Sequence, residues 1–273
     1  MRLAILADVH ANLHALEAVL PVLERERPDR WVVAGDLVGY GPQPDECVER
    51  VLALDPVCVA GNHDLIAIGR LSTDRCIPLA RESLEWTASA ISTSTREALA
   101  ALPLRAEVGD VVVAHGSLDD PQEYVRTPEA AHAQLAQLAE SHPSARVLVV
   151  GHTHRPMLVG ARGAAPPPDR AAPPPERAAP PPERAALDPG GPTLLNPGAV
   201  GQSRDEVPFA RAALLDLDAG ETRFLEVDYD VEAVRAELRR RGLDPLAVHL
   251  PPAPFPGAYR LRRIARRLSS RRR

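Results

Sequence analysis

The sequence predicts an α/β protein built as a layered sandwich, and three observations carry that reading. Short continuous apolar runs alternate with helical periodicity through the first half of the chain. From residue 193 onward, strand patterns follow one another without helices between them. Five small clusters of Asp, Asn, His and Gly fall at or just after predicted strand ends, where open α/β sheets place their ligand sites.

The elements follow in order. Residues 3–7 (LAILA) form a short apolar run expected of a parallel strand covered on both faces. Leu13, Leu16, Leu20 and Leu23 then recur at helical spacing, with Pro21 expected to kink that helix or reset its start. Residues 31–34 (WVVA) and 57–60 (VCVA) read as buried strands separated by a helix at 44–54. A long, mostly helical region covers about 76–101, and 111–114 (VVVA) reads as the next strand. Thr127 and Pro128 form an N-cap and first-turn proline for a helix to about 140, followed by a strand at 146–150. Strands at about 193–195, 210–217 and 222–228 and a helix at about 231–241 close the pattern, with the second sheet expected to be partly antiparallel.

Two segments stand outside this core. Residues 164–184 are three copies of a seven-residue unit, AAPPPDR and twice AAPPPER. Proline lacks a backbone donor and alanine is all the unit can bury, so packing cannot offset its ordering entropy. An extended insertion over 164–186 is expected, read as a tolerated surface expansion in preference to a partner-docking arm. Residues 244–273 form a Pro-rich and Arg-rich tail, leaving a main domain over 1–243. Eight arginines and no acid occupy 260–273, so residues 1–259 carry 24 arginines against 37 acids, or −13. The tail could bind nucleic acid or an anionic surface as a basic amphipathic helix, but a solvated terminus is the preferred reading beside so acidic a body.

All 32 basic residues are arginine, a compositional bias assigned to the genome. Three cysteines, Cys47, Cys58 and Cys76, show no paired spacing and read as reduced thiols, which points to a cytoplasmic location. No apolar run approaches the ~18 residues of a membrane span. The N-terminal run ends at once in Asp8 and His10 and does not read as a signal peptide. Composition leaves the oligomeric state open.

The clusters are Asp8-Val9-His10, Gly35-Asp36, Gly61-Asn62-His63-Asp64, His115-Gly116 and Gly151-His152-Thr153-His154. They offer oxygen and imidazole donors and no thiolate, a set that suits Mn, Fe, Co, Ni or Zn better than the all-oxygen shells of Mg and Ca. If the ligands lie on extended strands, Asp8 with His10 and His152 with His154 each share a side, because residues i and i+2 do. His14, His132, His142 and His249 lie in helical or loop contexts and receive no role.

The order D-x-H, GD, GNHD, H, GHTH resembles the calcineurin-like metallophosphoesterases over about residues 1–240. The runs GDLVGYGPQP, HGSLDDP and NPGAVGQSRD are similar to the bacterial phosphodiesterase/phosphatase branch related to diadenosine tetraphosphatases. The resemblance implies a four-layer α/β/β/α sandwich of two mixed β-sheets flanked by helices. It also implies two divalent metal ions, Mn first, with Fe, Ni, Co or Zn as alternatives. One metal would take Asp8, His10, Asp36 and His154, the other Asp36, Asn62, His115 and His152, with Asp36 as bridge. A water between them would attack a phosphate ester, and His63 would be the general acid. Asn12, Tyr40, Arg155 and Arg204 lie near the motifs as substrate contacts. Many relatives read GDxxD, where the second acid orients the catalytic histidine; here that position is Gly39, so the partner of His63 has to come from elsewhere, with Asp64 or a backbone carbonyl as candidates. The expected activity is hydrolysis of phosphomono- or phosphodiesters of small or nucleotide-like molecules. The alternatives are a phosphoprotein phosphatase and, with intact ligands arguing against it, a scaffold that has lost catalysis.

Overall fold

The computed structural model describes residues 1–161 and 183–251. The Pro-rich repeat up to 182 and the arginines of 260–273 lie outside the described residues. Two mixed sheets face each other. One has six strands in the order β3-β2-β1-β10-β11-β8: Val57–Cys58, Arg30–Val33, Arg2–Leu6, Ala210–Asp216, Glu221–Val227 and Arg184–Ala186. The other has five in the order β4-β5-β6-β9-β7: Arg105–Val108, Val111–Ala114, Val147–Val149, Thr193–Pro197 and Pro156–Gly160. Strands β1, β2 and β3 run parallel, as do β5, β6 and β9, while the remaining pairs are antiparallel.

Strand alternation builds the four layers. Along β1, Leu3 and Ile5 point between the sheets, where they meet Val113 of β5, Val149 of β6 and Leu215 of β10. Ala4 and Leu6 point the other way, onto Leu16, Val19, Leu20 and Leu23 of helix α1 (Leu13–Arg25) and Cys47, Val48 and Val51 of α2 (Pro44–Leu52). Val112 of β5, Leu148 of β6 and Leu194 of β9 carry the far face against Ala131, Leu135 and Leu138 of α6 (Pro128–Ser141). This is the expected α/β/β/α sandwich.

Local chemistry explains most boundaries. The Asn12 side chain caps α1 by accepting from Ala15 N at 3.1 Å. The helix runs unbroken through Pro21, so the proline does not reset its start. Pro21 and Glu17 are both exposed, so the Glu17 carbonyl that loses its donor is solvated. Thr127 caps α6 through Ala130 N, with Pro128 in the first turn as expected. The predicted helical region 76–101 is two helices, α4 (Pro78–Ala90) and α5 (Thr93–Ala101), because Ser92 caps a new start and the Asp45 carboxylate holds its backbone N–H. Asn62–Ala67 forms the short α3, and Val231–Arg240 forms α7.

Three strands escape the hydrophobic pattern: β4, β7 and β8. Each lies at a sheet edge. Strand β4 alternates exposed Arg105 and Glu107 with partly buried Ala106 and Val108, β8 spans only Arg184–Ala186, and β7 puts Met157 and Val159 on one face and Leu158 on the other. Pairing of β8 with β11 brings 184–186 into the sheet, so the expected insertion ends earlier than 186. The packed body also continues past the expected boundary at 243. A 3-10 helix at Pro245–Val248 buries Ala247 and Val248, and Leu250 N donates to Ser203 O at 2.9 Å. That segment packs because its apolar side chains meet Val234 and Leu238 of α7, a contact no local pattern announces. Among the described residues, no helix is long and apolar enough to cross a membrane.

Candidate metal centre

The five clusters emerge at the carboxyl ends of parallel strands: Asp8 after β1, Asp36 after β2, Asn62 after β3, His115 after β5, and His152 and His154 after β6. Two sheets packed face to face bring these ends to one place. The i, i+2 rationale fails, however, because these residues do not lie on extended strands. Asp8, His10, Asp36, His152 and His154 have φ between 49° and 62°, as do the neighbouring Ala11 and, at 61°, Tyr40. A left-handed conformation at a residue with a Cβ costs about 1–3 kcal/mol, so the surrounding structure must hold it. Here backbone bonds do so: Asp8 N to Gly35 O at 3.0 Å, His10 N to Asp36 O at 2.9 Å and Ala11 N to Leu37 O at 2.8 Å.

Two groups of buried donors result. Asp8, His10, Asp36 and His154 place ligand atoms within 4.8 Å of one another, and so do Asp36, His115 and His152. Asn62 joins the second group through Oδ1, 3.1 Å from His115 Nε2. Asp36 Oδ2 belongs to both groups, 3.6 Å from His10 Nε2 and 3.3 Å from His115 Nε2. Gly61 makes room for this carboxylate; a Cβ there would lie 2.1 Å from Asp36 Oδ1.

The imidazoles are pre-oriented. The Nδ1 atoms of His10, His115 and His154 lie 3.1, 2.6 and 2.7 Å from the carbonyls of Val38, Ala34 and Gln202. A carbonyl only accepts, so each Nδ1 carries the proton and each Nε2 turns inward. The Nε2 atoms of His10 and His154 then face each other at 3.1 Å. Two lone pairs so placed fit a shared cation. Asp8 Oδ2, Asp36 Oδ2 and His152 Nε2 are buried and have no hydrogen-bond partner. Orphaned acceptors of this kind, all oxygen and nitrogen, fit divalent metal binding.

The electrostatics agree. Burial pushes the Asp8 carboxyl up to about 8, with the Asp36 charge adding to it and His115 opposing. Burial also works against ionising Asp36, but His115, His63 and His10 outweigh it and hold that carboxyl well below its usual range. Burial disfavours the His115 imidazolium, yet Asp36 raises it to about 9. Burial first of all holds His10, His152 and His154 well below the usual imidazole value. In the metal-free protein, the His115 proton therefore stands in for a cation.

Asp64 is not the partner of His63. Its Oδ1 accepts from Leu37 N at 2.8 Å and Val38 N at 3.1 Å, and its Oδ2 from Gly61 N at 2.9 Å, so it ties two ligand loops together. No carbonyl takes that place either: His63 Nδ1 is buried without a partner among the described residues. Gly39 lies directly against it, where a Cβ would come within 2.3 Å. Burial lowers the His63 imidazole to about 4, with Asp36 opposing.

The expected substrate contacts divide. Tyr40 packs against His10 and His63 with ring centroids 4.8 Å apart in both pairs, so it walls the cluster. The Arg204 charge is felt at Asp8, Tyr40, His63, His152 and His154, so it lies near the cluster, with its Nε 3.4 Å from Gln202 Oε1. Arg155 directly follows His154 and is partly buried, its backbone N donating to Thr153 Oγ1 at 3.3 Å. Asn12 is spent structurally: it is 1% exposed, caps α1, and donates to Gly201 O at 2.8 Å.

Sequence reasoning left several contributors unassigned. Asn196 Nδ2 donates to Gly151 O and Thr153 Oγ1, bracing the His152–His154 turn, and the Gln202 carbonyl orients His154. Both stand in the NPGAVGQSRD run, which was the available signal. Tyr124 stacks on His152 at 3.9 Å between centroids, and nothing in its sequence context marks it.

Comparison with known proteins agrees with this architecture. A crystal structure of a metallophosphoesterase from Sphaerobacter thermophilus is 37% identical with a TM-score of 0.73, covering 91% of this chain and 96% of its own. A hypothetical protein from Pyrococcus horikoshii shares the fold at 18% identity and a TM-score of 0.70, covering 90% of this chain and 96% of that one. An uncharacterized protein of Methanocaldococcus jannaschii is 28% identical over 236 residues, 84% of this chain and 88% of that protein. The model of the calcineurin-like phosphoesterase superfamily domain matches residues 1–220, and the chain belongs to that superfamily.

Proposed function

We propose that the protein hydrolyses phosphate esters of small or nucleotide-like molecules with the help of two divalent metal ions, Mn first among them. One would be held by Asp8, His10, Asp36 and His154 and the other by Asp36, Asn62, His115 and His152. The observation that carries this reading is Asp36 Oδ2, shared by two groups of buried, inward-turned donors. Bound metals would supply a water acidified to nucleophilic strength at neutral pH and charge to offset the phosphoryl oxygens. The chain's own part is positioning. In this reading Arg204, whose charge is felt across the cluster, holds the anionic ester in place. His63, backed by Tyr40, faces the leaving group. Its imidazole is neutral in the free site, and the arriving phosphate anion raises its proton affinity, so it becomes the general acid with substrate in place. Arg155 is a further phosphate contact in this reading. The three free cysteines suit a cytoplasmic setting, which is part of the proposal.

The test is the initial rate of Mn-reconstituted protein on an aryl phosphomonoester and the matching bis-aryl phosphodiester, with metal content measured in parallel. Metal-dependent turnover of either supports the reading, and the preferred one separates phosphatase from phosphodiesterase. Two bound metals with no turnover of either substrate would leave a scaffold.

A further inference from the structure

His249 received no role from the sequence and lies beyond residues 1–220, the stretch that the superfamily model matches. It is nevertheless buried. Its Nε2 lies 2.8 Å from the Asp205 carbonyl, and a carbonyl only accepts, so this nitrogen carries the proton and donates. One residue on, Leu250 N donates to Ser203 O at 2.9 Å, and His249 pairs with Ser203 in a parallel β-bridge. Two hydrogen bonds thus fasten the segment after Pro245–Val248 to the loop at 203–205.

The same loop reaches the candidate metal centre through the residue before it. The Gln202 carbonyl lies 2.7 Å from His154 Nδ1 and accepts its proton. Before Gln202 the backbone is fixed by Val200 N to Ala7 O at 3.0 Å and Gly201 N to Asp8 O at 2.9 Å. After Gln202 the ties are of two kinds. Arg211 Nε donates to Asp205 Oδ2 at 2.6 Å, a bond to a rotatable side chain that leaves the peptide planes free to tilt. Leu250 and His249 instead hold the carbonyls of Ser203 and Asp205 themselves. Peptide groups are planar, and the one bearing Ser203 O adjoins the one bearing Gln202 O, so holding the first limits rotation of the second.

We propose that His249 is a positioning residue for His154: by fastening the 203–205 loop it keeps the Gln202 carbonyl on His154 Nδ1. That bond turns His154 Nε2 inward, 3.1 Å from His10 Nε2 and 3.6 Å from Asp8 Oδ1. The other oriented imidazoles do not depend on the end of the chain. The carbonyls facing His10 and His115 belong to Val38 and Ala34, whose own N–H groups are held by Asp64 and Leu6. The effect of His249 on metal rests on the two-metal reading; its effect on the His154 ring does not.

The experiment uses the full chain with 15N-labelled histidine, followed by calorimetric titration with Mn. In the metal-free protein, the Nδ1–H protons of His10, His115 and His154 are expected as solvent-protected resonances. His249→Phe keeps a ring but lacks the donor, and His249→Ala lacks both. Each should speed solvent exchange of the His154 proton about tenfold and change the other two by less than about twofold, as local opening of one loop does. His249→Gln, which places an amide N–H at about the reach of Nε2, should restore most of the protection. One of two Mn-binding steps should weaken about tenfold in His249→Phe and the other stay unchanged, the scale for losing an outer partner of a ligand. Unchanged exchange at His154 in both donor-less variants overturns the proposal, because Arg211 then suffices to hold the loop. Equal acceleration at all three imidazoles also overturns it, because the fold has then merely loosened. Selective acceleration at His154 in a protein that takes up no Mn would keep the proposal and remove the two-metal reading. Two Mn sites with no change at His154 would do the opposite.

Discussion

The backbone N–H of His63 donates to Asp36 Oδ1 at 2.8 Å, so the residue proposed as the general acid also clamps the carboxylate that both donor groups share. One oxygen of Asp36 is committed to the fold, and the other serves the centre. Asp36→Asn retains an oxygen for the His63 N–H but loses the shared anion. The expected outcome is a folded protein with little change in melting temperature and less than one metal per chain by elemental analysis. Retention of two metals would show that Asp36 does not bridge.

His63→Ala should leave metal content unchanged and reduce kcat by about 10²–10⁴-fold, the usual contribution of a general acid. The loss should grow as the leaving group becomes more basic. Rates measured on a series of aryl phosphates check this, and near-normal turnover of a metal-replete sample would remove His63 from the mechanism.

Gly39 sets a limit on installing the second acid of a GDxxD pattern. Gly39 has φ +85°, and a Cβ there meets His63 Nδ1 at 2.3 Å. Gly39→Asp is therefore expected to displace the imidazole and lower turnover instead of supplying the missing partner. Increased kcat in that variant would contradict the packing argument.

Metal uptake should depend on pH with a definite sign. In the metal-free protein, Asp8 (about 8) and His115 (about 9) are protonated at pH 7, and both must be bare to bind metal. Below those values protons compete with the metal, so affinity should strengthen as pH rises and level off above about 9. Binding at pH 7 should release about two protons, measurable by titration calorimetry in buffers of different ionisation enthalpy. Affinity unchanged between pH 6 and 9 would contradict this account.

Asp64→Ala should act on stability first. The substitution strands the buried N–H groups of Leu37, Val38 and Gly61, each costing about 1–3 kcal/mol, so chemical denaturation should show a loss of at least about 3 kcal/mol. A loss under about 1 kcal/mol would mean that the loops are held by other contacts.

Much of the site was legible because its residue types are unusual together. Asp8, His10, Asp36, Asn62, His115, His152 and His154 converge as the motif order implied, although the route is left-handed loops and not strand alternation. That difference escapes the sequence because φ at an Asp or His is decided by neighbouring loops. Asn12 sat as close to the motif as any ligand, yet its amide is consumed by Ala15 N and Gly201 O, and only the folded chain brings Gly201 there.

The sequence by itself determined the buried strands and amphipathic helices, because burial on both faces or along one stripe forces a periodicity that local composition records. It also marked the Asp, Asn and His side chains that gather in the buried cluster. The tertiary structure alone decided the edge strands β4, β7 and β8 and the partners they pair with. It decided that 245–250 packs onto α7 and the Ser203 loop, and that Tyr124 lies on His152 with Arg126 beyond it. The physical reason is common to all of these. Each depends on groups far apart in the chain meeting in space, and a periodicity read along the chain reports burial but not the partner that provides it.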